Sequence, residues 1–240
     1  MAVSRLHDPR TSTRRFFLAV AIAFPLIVLF GFARTYYLKG FFDTQPVPSG
    51  LVHLHGIVMS AWVLLFIAQT WLISSRRIRT HQTLGYASIA LAVLIVVVGF
   101  FTAIAAAKFG SQSTPPGVPP KAFLIVPLTD LLMFAILFGG ALYYRKKAAT
   151  HKRLILLTVI NFLPQSIARW PIPGWVALGP IVFFGIPALL VIVMVIVDTW
   201  KQGKLNRPFA FGAAALILSY PLRLMIMSTD VWMRFATWLT

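Results

Sequence analysis

The sequence predicts an all-α fold, a polytopic membrane helix bundle with seven transmembrane helices. Two observations carry this prediction. Of the 240 residues, 59% are apolar and only 11% are charged, whereas a soluble domain carries about 25% charged residues. The apolar residues also fall into runs of roughly 20, the length that an α-helix needs to cross about 30 Å of hydrocarbon. We therefore expect lipid, not water, to surround most of this chain.

Seven apolar segments have this length, and together they organise residues 1–240 as a single membrane domain behind a basic tail, residues 1–15. Helices are required because hydrocarbon offers no hydrogen-bond partner to an unpaired backbone amide. The fifth and seventh segments carry the most polar residues. The predicted spans are residues 16–34, 51–74, 83–107, 122–144, 153–171, 177–199 and 208–229.

The basic residues predict the orientation of the bundle. Fifteen Lys and Arg residues flank one face of the membrane and six flank the other, while Arg223 lies inside the last span. Because positively charged loops stay in the cytoplasm, we expect the N-terminus inside and the C-terminus outside. The net charge of +17 then meets anionic lipid headgroups and not nucleic acid. This bias is typical of an integral protein of a bacterial cytoplasmic membrane.

The composition excludes several kinds of site. The chain has no Cys, so neither a disulfide nor a thiolate metal site is possible. It has no Glu and only five Asp. The sequence contains no phosphate-binding Gly loop, no His-Glu-x-x-His zinc motif and no nucleophile elbow. The last span lacks the Lys that a retinal Schiff base would need.

Ionisable side chains inside the spans are candidates for function because hydrocarbon makes them costly. With about 1.5 Å of rise per residue, four such groups fall at one depth in the outer half of the membrane. Two interpretations stay open. The Arg side chains could hold an anion or a quinone-like carbonyl in an outward-opening pocket, or they could reach the headgroups while the carboxylate pairs with one of them. The four residues are His55, Asp130, Arg169 and Arg223.

Three amide side chains extend this predicted ligand pocket. Gln69 shares a helix face with His55, since the two are fourteen residues apart. Asn161 and Gln165 lie on a polar stripe of the fifth span. Pro164 interrupts the helix between them and frees a backbone carbonyl.

Two histidines, His81 and His151, each follow a short basic cluster and open a helix at the inner face. Neutral imidazoles from two helices can ligate a haem iron axially. They could also ligate a divalent metal, although two ligands are too few for a tight site. The alternative is that both rings cap helix ends among the headgroups. Asp198 would orient one of the rings or pair with Lys201.

Short His, Gln and Arg motifs recur along residues 50–170. They are His55-Gly56, Gln69, His81-x-x-Leu84-Gly85, His151-Lys152-Arg153 and Arg169. This pattern resembles a family of predicted bacterial multi-spanning membrane proteins of unknown function, which implies no settled activity. It is also loosely similar to transmembrane b-type cytochromes, which place two His pairs on four facing helices. Since only one pair is available here, the similarity implies at most one bis-His haem.

The sequence thus favours a redox-associated membrane protein that binds a b-type haem or a quinone-like ligand in the bundle. His81 and His151 would be the axial ligands, and His55 is a further cofactor-binding candidate. One alternative is a small-solute or ion transporter that uses Asp130, with Pro164 supplying a broken helix. Another is a non-catalytic subunit or assembly factor, whose partners would be other membrane-protein subunits.

Overall fold

The computed structural model describes residues 9–42, 44, 49–111 and 114–240. Most of this described part is helical, and it contains no strand. Five of its helices are long and apolar enough to cross a membrane, which is consistent with a helical bundle and with an integral membrane protein. They are Gly50–Ser74, Ile78–Phe109, Pro120–Tyr143, Pro180–Gln202 and Arg207–Ile226.

The α-helices follow one another along the chain with short connections. A π-helical turn, Ala33–Tyr37, continues the first helix, and 3₁₀ turns occupy Lys39–Phe41 and Val176–Leu178. The helices are α1 (Pro9–Phe32), α2 (Gly50–Ser74), α3 (Ile78–Phe109), α4 (Pro120–Phe123), α5 (Ile125–Tyr143), α6 (Ala148–Asn161), α7 (Leu163–Ile167), α8 (Pro180–Gln202), α9 (Arg207–Ile226) and α10 (Asp230–Leu239).

Two of the predicted spans do not correspond to a single long helix in the structure. The first, residues 16–34, falls in α1 and the π-helical turn, whose apolar stretch Ile22–Tyr37 is shorter than the five long helices. The fifth, residues 153–171, is divided between α6 and the short α7, because Pro164 has no N–H with which to continue the helix.

Part of the predicted basic tail and of the predicted loops lies outside the described residues. These positions are residues 1–8, 43, 45–48 and 112–113.

Two helical hairpins, α2–α3 and α5–α6, turn at the same end of the bundle. The second helix of each hairpin has a histidine as its fourth residue, His81 in α3 and His151 in α6. In both cases the histidine backbone N–H donates to the carbonyl four residues before it, at 3.0 Å. The turns are rich in Lys and Arg, so we call this end of the bundle the basic end. Arg76, in the first turn, has a left-handed backbone with φ of 59°.

The core lies around α5, α6 and α9. Leu157 and Ile160 of α6 and Leu216 of α9 are completely buried. The outward faces of the long helices are apolar and exposed, as at Phe101 and Leu132. Since α6 and α7 run through the interior, their polar residues Thr158, Asn161 and Ser166 are buried inside the bundle.

Candidate functional sites

His81 and His151 lie together at the basic end. Their ring centroids are 6.4 Å apart, and the ring planes are inclined by 75°. His151 Nδ1 lies 2.8 Å from the backbone oxygen of Ala141. Since a carbonyl can only accept, this Nδ1 carries the proton and donates it. The side-chain amide of Gln69 lies 2.5 Å from His81 Nδ1. We call these four residues the histidine cluster.

The bond at Nδ1 decides whether Nε2 of the same ring can bind a metal. The donation from His151 Nδ1 to Ala141 leaves the lone pair on Nε2, as is typical of metal-binding histidines. At His81 the choice depends on Gln69. If the amide nitrogen of Gln69 faces the ring, its oxygen accepts from the Gly85 N–H at 3.2 Å, and His81 Nε2 is protonated. If the amide oxygen faces the ring, Nε2 has the lone pair.

The spacing of the rings fits one ion held by two imidazoles. Two imidazole nitrogens on opposite sides of one ion, each about 2 Å from it, put the ring centres about 6 Å apart. Within the described residues, no group of three or more His, Cys, Asp and Glu side chains could hold a metal. Two nitrogens alone suit the axial positions of a haem iron better than a four-coordinate zinc site.

A part-buried ion pair joins Arg153, two residues after His151, to Asp198. Arg153 donates from Nε to Asp198 Oδ2 at 2.7 Å and from Nη2 to Oδ1 at 2.5 Å. This two-pronged contact joins α6 to α8 and is the strong form of an Arg–carboxylate bond. Asp198 therefore binds a residue 45 positions away, a partner that we did not consider for it from the sequence.

Asp130 forms a second polar centre nearer the opposite end of the bundle. Arg223 donates from Nη1 to Asp130 Oδ1 at 2.6 Å. Gln165 Nε2 donates to Asp130 Oδ2, and Asn161 Nδ2 donates to the Asp130 backbone oxygen at 2.9 Å. Asp130 and Arg223 are only 2% and 1% exposed. We call these four residues the aspartate centre.

Arg223 is enclosed by further contacts. Its Nε donates to the backbone oxygen of Ser219 at 3.1 Å, and its Nη2 donates to Ser219 Oγ at 3.0 Å. The guanidinium carbon lies 5.2 Å from the ring centroids of Phe184 and Tyr220, within cation–π range. Ser219 precedes Arg223 by one helical turn, and this spacing is the sequence signal that could have identified it.

Arg169 adjoins the aspartate centre through Gln165, whereas Gln69 lies apart from it. Arg169 donates from Nη1 to the Gln165 backbone oxygen at 2.5 Å, and its guanidinium lies 4.7 Å from the Phe32 ring centroid. Gln69 belongs to the histidine cluster. His55 is part-buried on α2 and makes none of the hydrogen bonds that hold the aspartate centre. The structure thus brings together four of the predicted pocket residues and separates Gln69 from them.

The comparisons with known proteins assign no function to this chain. Neither the protein-family models nor the curated proteins nor the solved structures contain a match to this chain. Function must therefore be argued from the histidine cluster and the aspartate centre themselves.

Proposed function

We propose that this chain is a redox-associated membrane protein that binds one b-type haem between His81 and His151. The observation that carries the proposal is the 6.4 Å separation of the two rings, each with its Nδ1 engaged by a neighbour. A hydrogen bond to the other ring nitrogen orients a metal-binding histidine and selects its tautomer. The haem would supply one-electron chemistry when bound.

The chain's own residues would do two things at this site. His151 keeps an unprotonated Nε2 because its Nδ1 proton is donated to Ala141. Gln69 would act as a positioning residue, since the face of its amide selects the tautomer of His81. Ligand binding would then require the Gln69 oxygen to face the ring, at the cost of its contact with Gly85.

The number and direction of the membrane crossings are also part of the proposed function. We propose seven crossings, in which α1 with its π-helical turn and the broken pair α6–α7 join the five long helices. The basic end would face the cytoplasm of a bacterial inner membrane, where its Lys and Arg meet anionic headgroups. The N-terminus would lie inside and the C-terminus outside.

The test is an optical spectrum with iron analysis of the full chain, purified in mild detergent. We expect a Soret band, and we expect both His81→Ala and His151→Ala to abolish the bis-His spectrum. Gln69→Leu should weaken haem binding about 10–100-fold, the usual effect of removing a hydrogen-bond partner of a metal-binding histidine. His53→Ala is the matched control, because His53 contacts Tyr36 at the opposite end of the bundle. An iron-free protein without Soret absorbance would overturn the haem proposal.

A quinone-like ligand is the other form of the redox proposal. It would leave the purified protein without a Soret band, and organic extraction followed by mass spectrometry would recover the ligand. The remaining possibility, a non-catalytic subunit or assembly factor, predicts neither cofactor and predicts that other membrane subunits copurify in mild detergent.

A small-solute or ion transporter is the second candidate function, and the break between α6 and α7 favours it. Transporter sites often lie where a membrane helix is interrupted and its ends meet polar side chains. Here Asn161 ends α6, Gln165 lies in α7, and both donate to Asp130. Uptake of labelled solutes by liposomes that hold the protein tests this candidate. Asp130→Asn should abolish uptake that His81→Ala leaves intact.

A further inference from the structure

Several buried polar atoms lack a hydrogen-bond partner within the described part of the chain. They are Trp62 Nε1, Asn161 Oδ1, Gln165 Oε1, Ser166 Oγ, Trp170 Nε1 and Tyr220 Oη. A buried polar atom without a partner costs more free energy than a hydrogen bond ordinarily gains. Such atoms are therefore positions at which a ligand or an ordered water can form a hydrogen bond.

Three of these atoms border the aspartate centre. Asn161 and Gln165 already use their amide nitrogens on Asp130, so their amide oxygens are the ends without partners. The Tyr220 ring centroid lies 5.2 Å from the Arg223 guanidinium, and Tyr220 is only 3% exposed. The atoms come from α6, α7 and α9, which converge on one ion pair.

The chemistry of these atoms restricts what can bind. An amide oxygen only accepts hydrogen bonds, so the ligand must donate to Asn161 and Gln165. An anion without a proton cannot donate, and it would also meet the carboxylate of Asp130. A cation would meet the guanidinium of Arg223. A fully oxidised carbonyl compound has no O–H for the amide oxygens, although it could accept from Tyr220.

We propose that the aspartate centre binds a neutral hydroxyl-bearing ligand, whose O–H groups donate to the free amide oxygens of Asn161 and Gln165 and whose oxygen bonds with the Tyr220 hydroxyl. Ordered water and the hydroxylated head of a small organic molecule, such as a quinol, share this chemistry. The site is separate from the histidine cluster, so it stands whether or not that cluster holds a haem.

Tyr220→Phe tests the site, because it removes only the hydroxyl and keeps the ring beside Arg223. If the hydroxyl bonds to a ligand, the variant of the full chain in detergent should have a lower Tm than wild type. If the hydroxyl has no partner, its removal leaves the Tm unchanged or raises it, and the proposal is overturned. Tyr86→Phe is the matched control, since Tyr86 is 73% exposed.

Two further measurements identify the source of the hydroxyl. Radiolytic footprinting of the purified protein in H₂¹⁸O should label Tyr220 above the level of the fully buried Phe134 if the ligand is water. Organic extraction and mass spectrometry should recover a hydroxylated compound in amounts equal to the protein if the ligand is organic, and Tyr220→Phe should reduce that yield. If neither the label nor a compound is found, the proposal fails.

Discussion

The two polar centres of this bundle meet the cost of burial in different ways. The histidine cluster places two imidazole rings at the basic end, each held through Nδ1 by one neighbour. The aspartate centre buries two opposite charges, Asp130 and Arg223, which compensate each other inside the bundle. Breaking a buried ion pair is strongly destabilising because it leaves an uncompensated charge inside the protein. We therefore expect the loss of one charged residue from the aspartate centre to destabilise the bundle more than the loss of one hydrogen bond at the histidine cluster.

The largest expected effect is at Arg223. Replacing it by Met leaves the Asp130 carboxylate buried without its cation, and we expect a loss of about 3–5 kcal/mol in the free energy of unfolding. Unfolding in detergent with increasing denaturant, followed by helical circular dichroism, measures this loss. Adding Asp130→Leu to the variant should recover part of the stability, because the unpaired charge is then absent.

Arg153→Met is the matched control at the basic end. Its partner Asp198 keeps a side chain that is 15% exposed, so water can reach the orphaned carboxylate. The loss of stability should be smaller than for Arg223→Met, roughly 1.5–3 kcal/mol. Equal losses for the two variants would contradict the idea that the deeper burial of the Asp130–Arg223 pair makes its loss more costly.

An intermediate effect is expected at Gly31, which holds α1 against α7 near the aspartate centre. A Cβ atom at this position would overlap the backbone of Ser166, which cannot move aside as a side chain could. Gly31→Ala should therefore destabilise the protein by about 1–3 kcal/mol, the usual cost of overpacking. Thermal unfolding in detergent measures the change.

Gly139→Ala provides the comparison for that variant. Gly139 lies inside α5, and a Cβ atom there meets nothing within 4 Å. This substitution should stabilise the helix by about 0.5–1 kcal/mol, because Ala loses less backbone freedom than Gly. If both variants behaved alike, close packing of α1 on α7 would not explain the cost at Gly31.

The smallest effect is expected at the turn that leads to His81. Arg76 has a left-handed backbone, which costs an L-residue about 1 kcal/mol or more and costs Gly almost nothing. Arg76→Gly should raise stability by up to about 1 kcal/mol and should leave the absorption spectrum of the histidine cluster unchanged. The same change at Arg79, inside α3, should instead lower stability, as measured by the same unfolding curves.

Three residues show which local features of the fold can be predicted from the sequence. His81 and His151 were recognisable from the basic clusters before them, and the structure has each as the fourth residue of a helix. The break in the fifth predicted span followed from Pro164, which cannot donate a backbone hydrogen bond. These are local properties, set by neighbouring residues and by the backbone.

Contacts between side chains on different helices could not be predicted from the sequence. The sequence predicts that Asp130 lies at the same depth as both Arg169 and Arg223, and only the packing of α5 against α9 pairs it with Arg223. The sequence also predicts Gln69 in the same pocket, yet the return of α3 along α2 brings Gln69 to His81.

The sequence by itself determined that this chain forms apolar helices, because the length and composition of each segment decide whether it can hide its backbone from lipid. It also determined which residues share a helix face, because that depends only on helical periodicity. The tertiary structure alone decided which faces meet. Helix neighbours depend on side-chain packing between segments that lie far apart in the chain, as Asp130 and Arg223 do, and no local pattern encodes that choice.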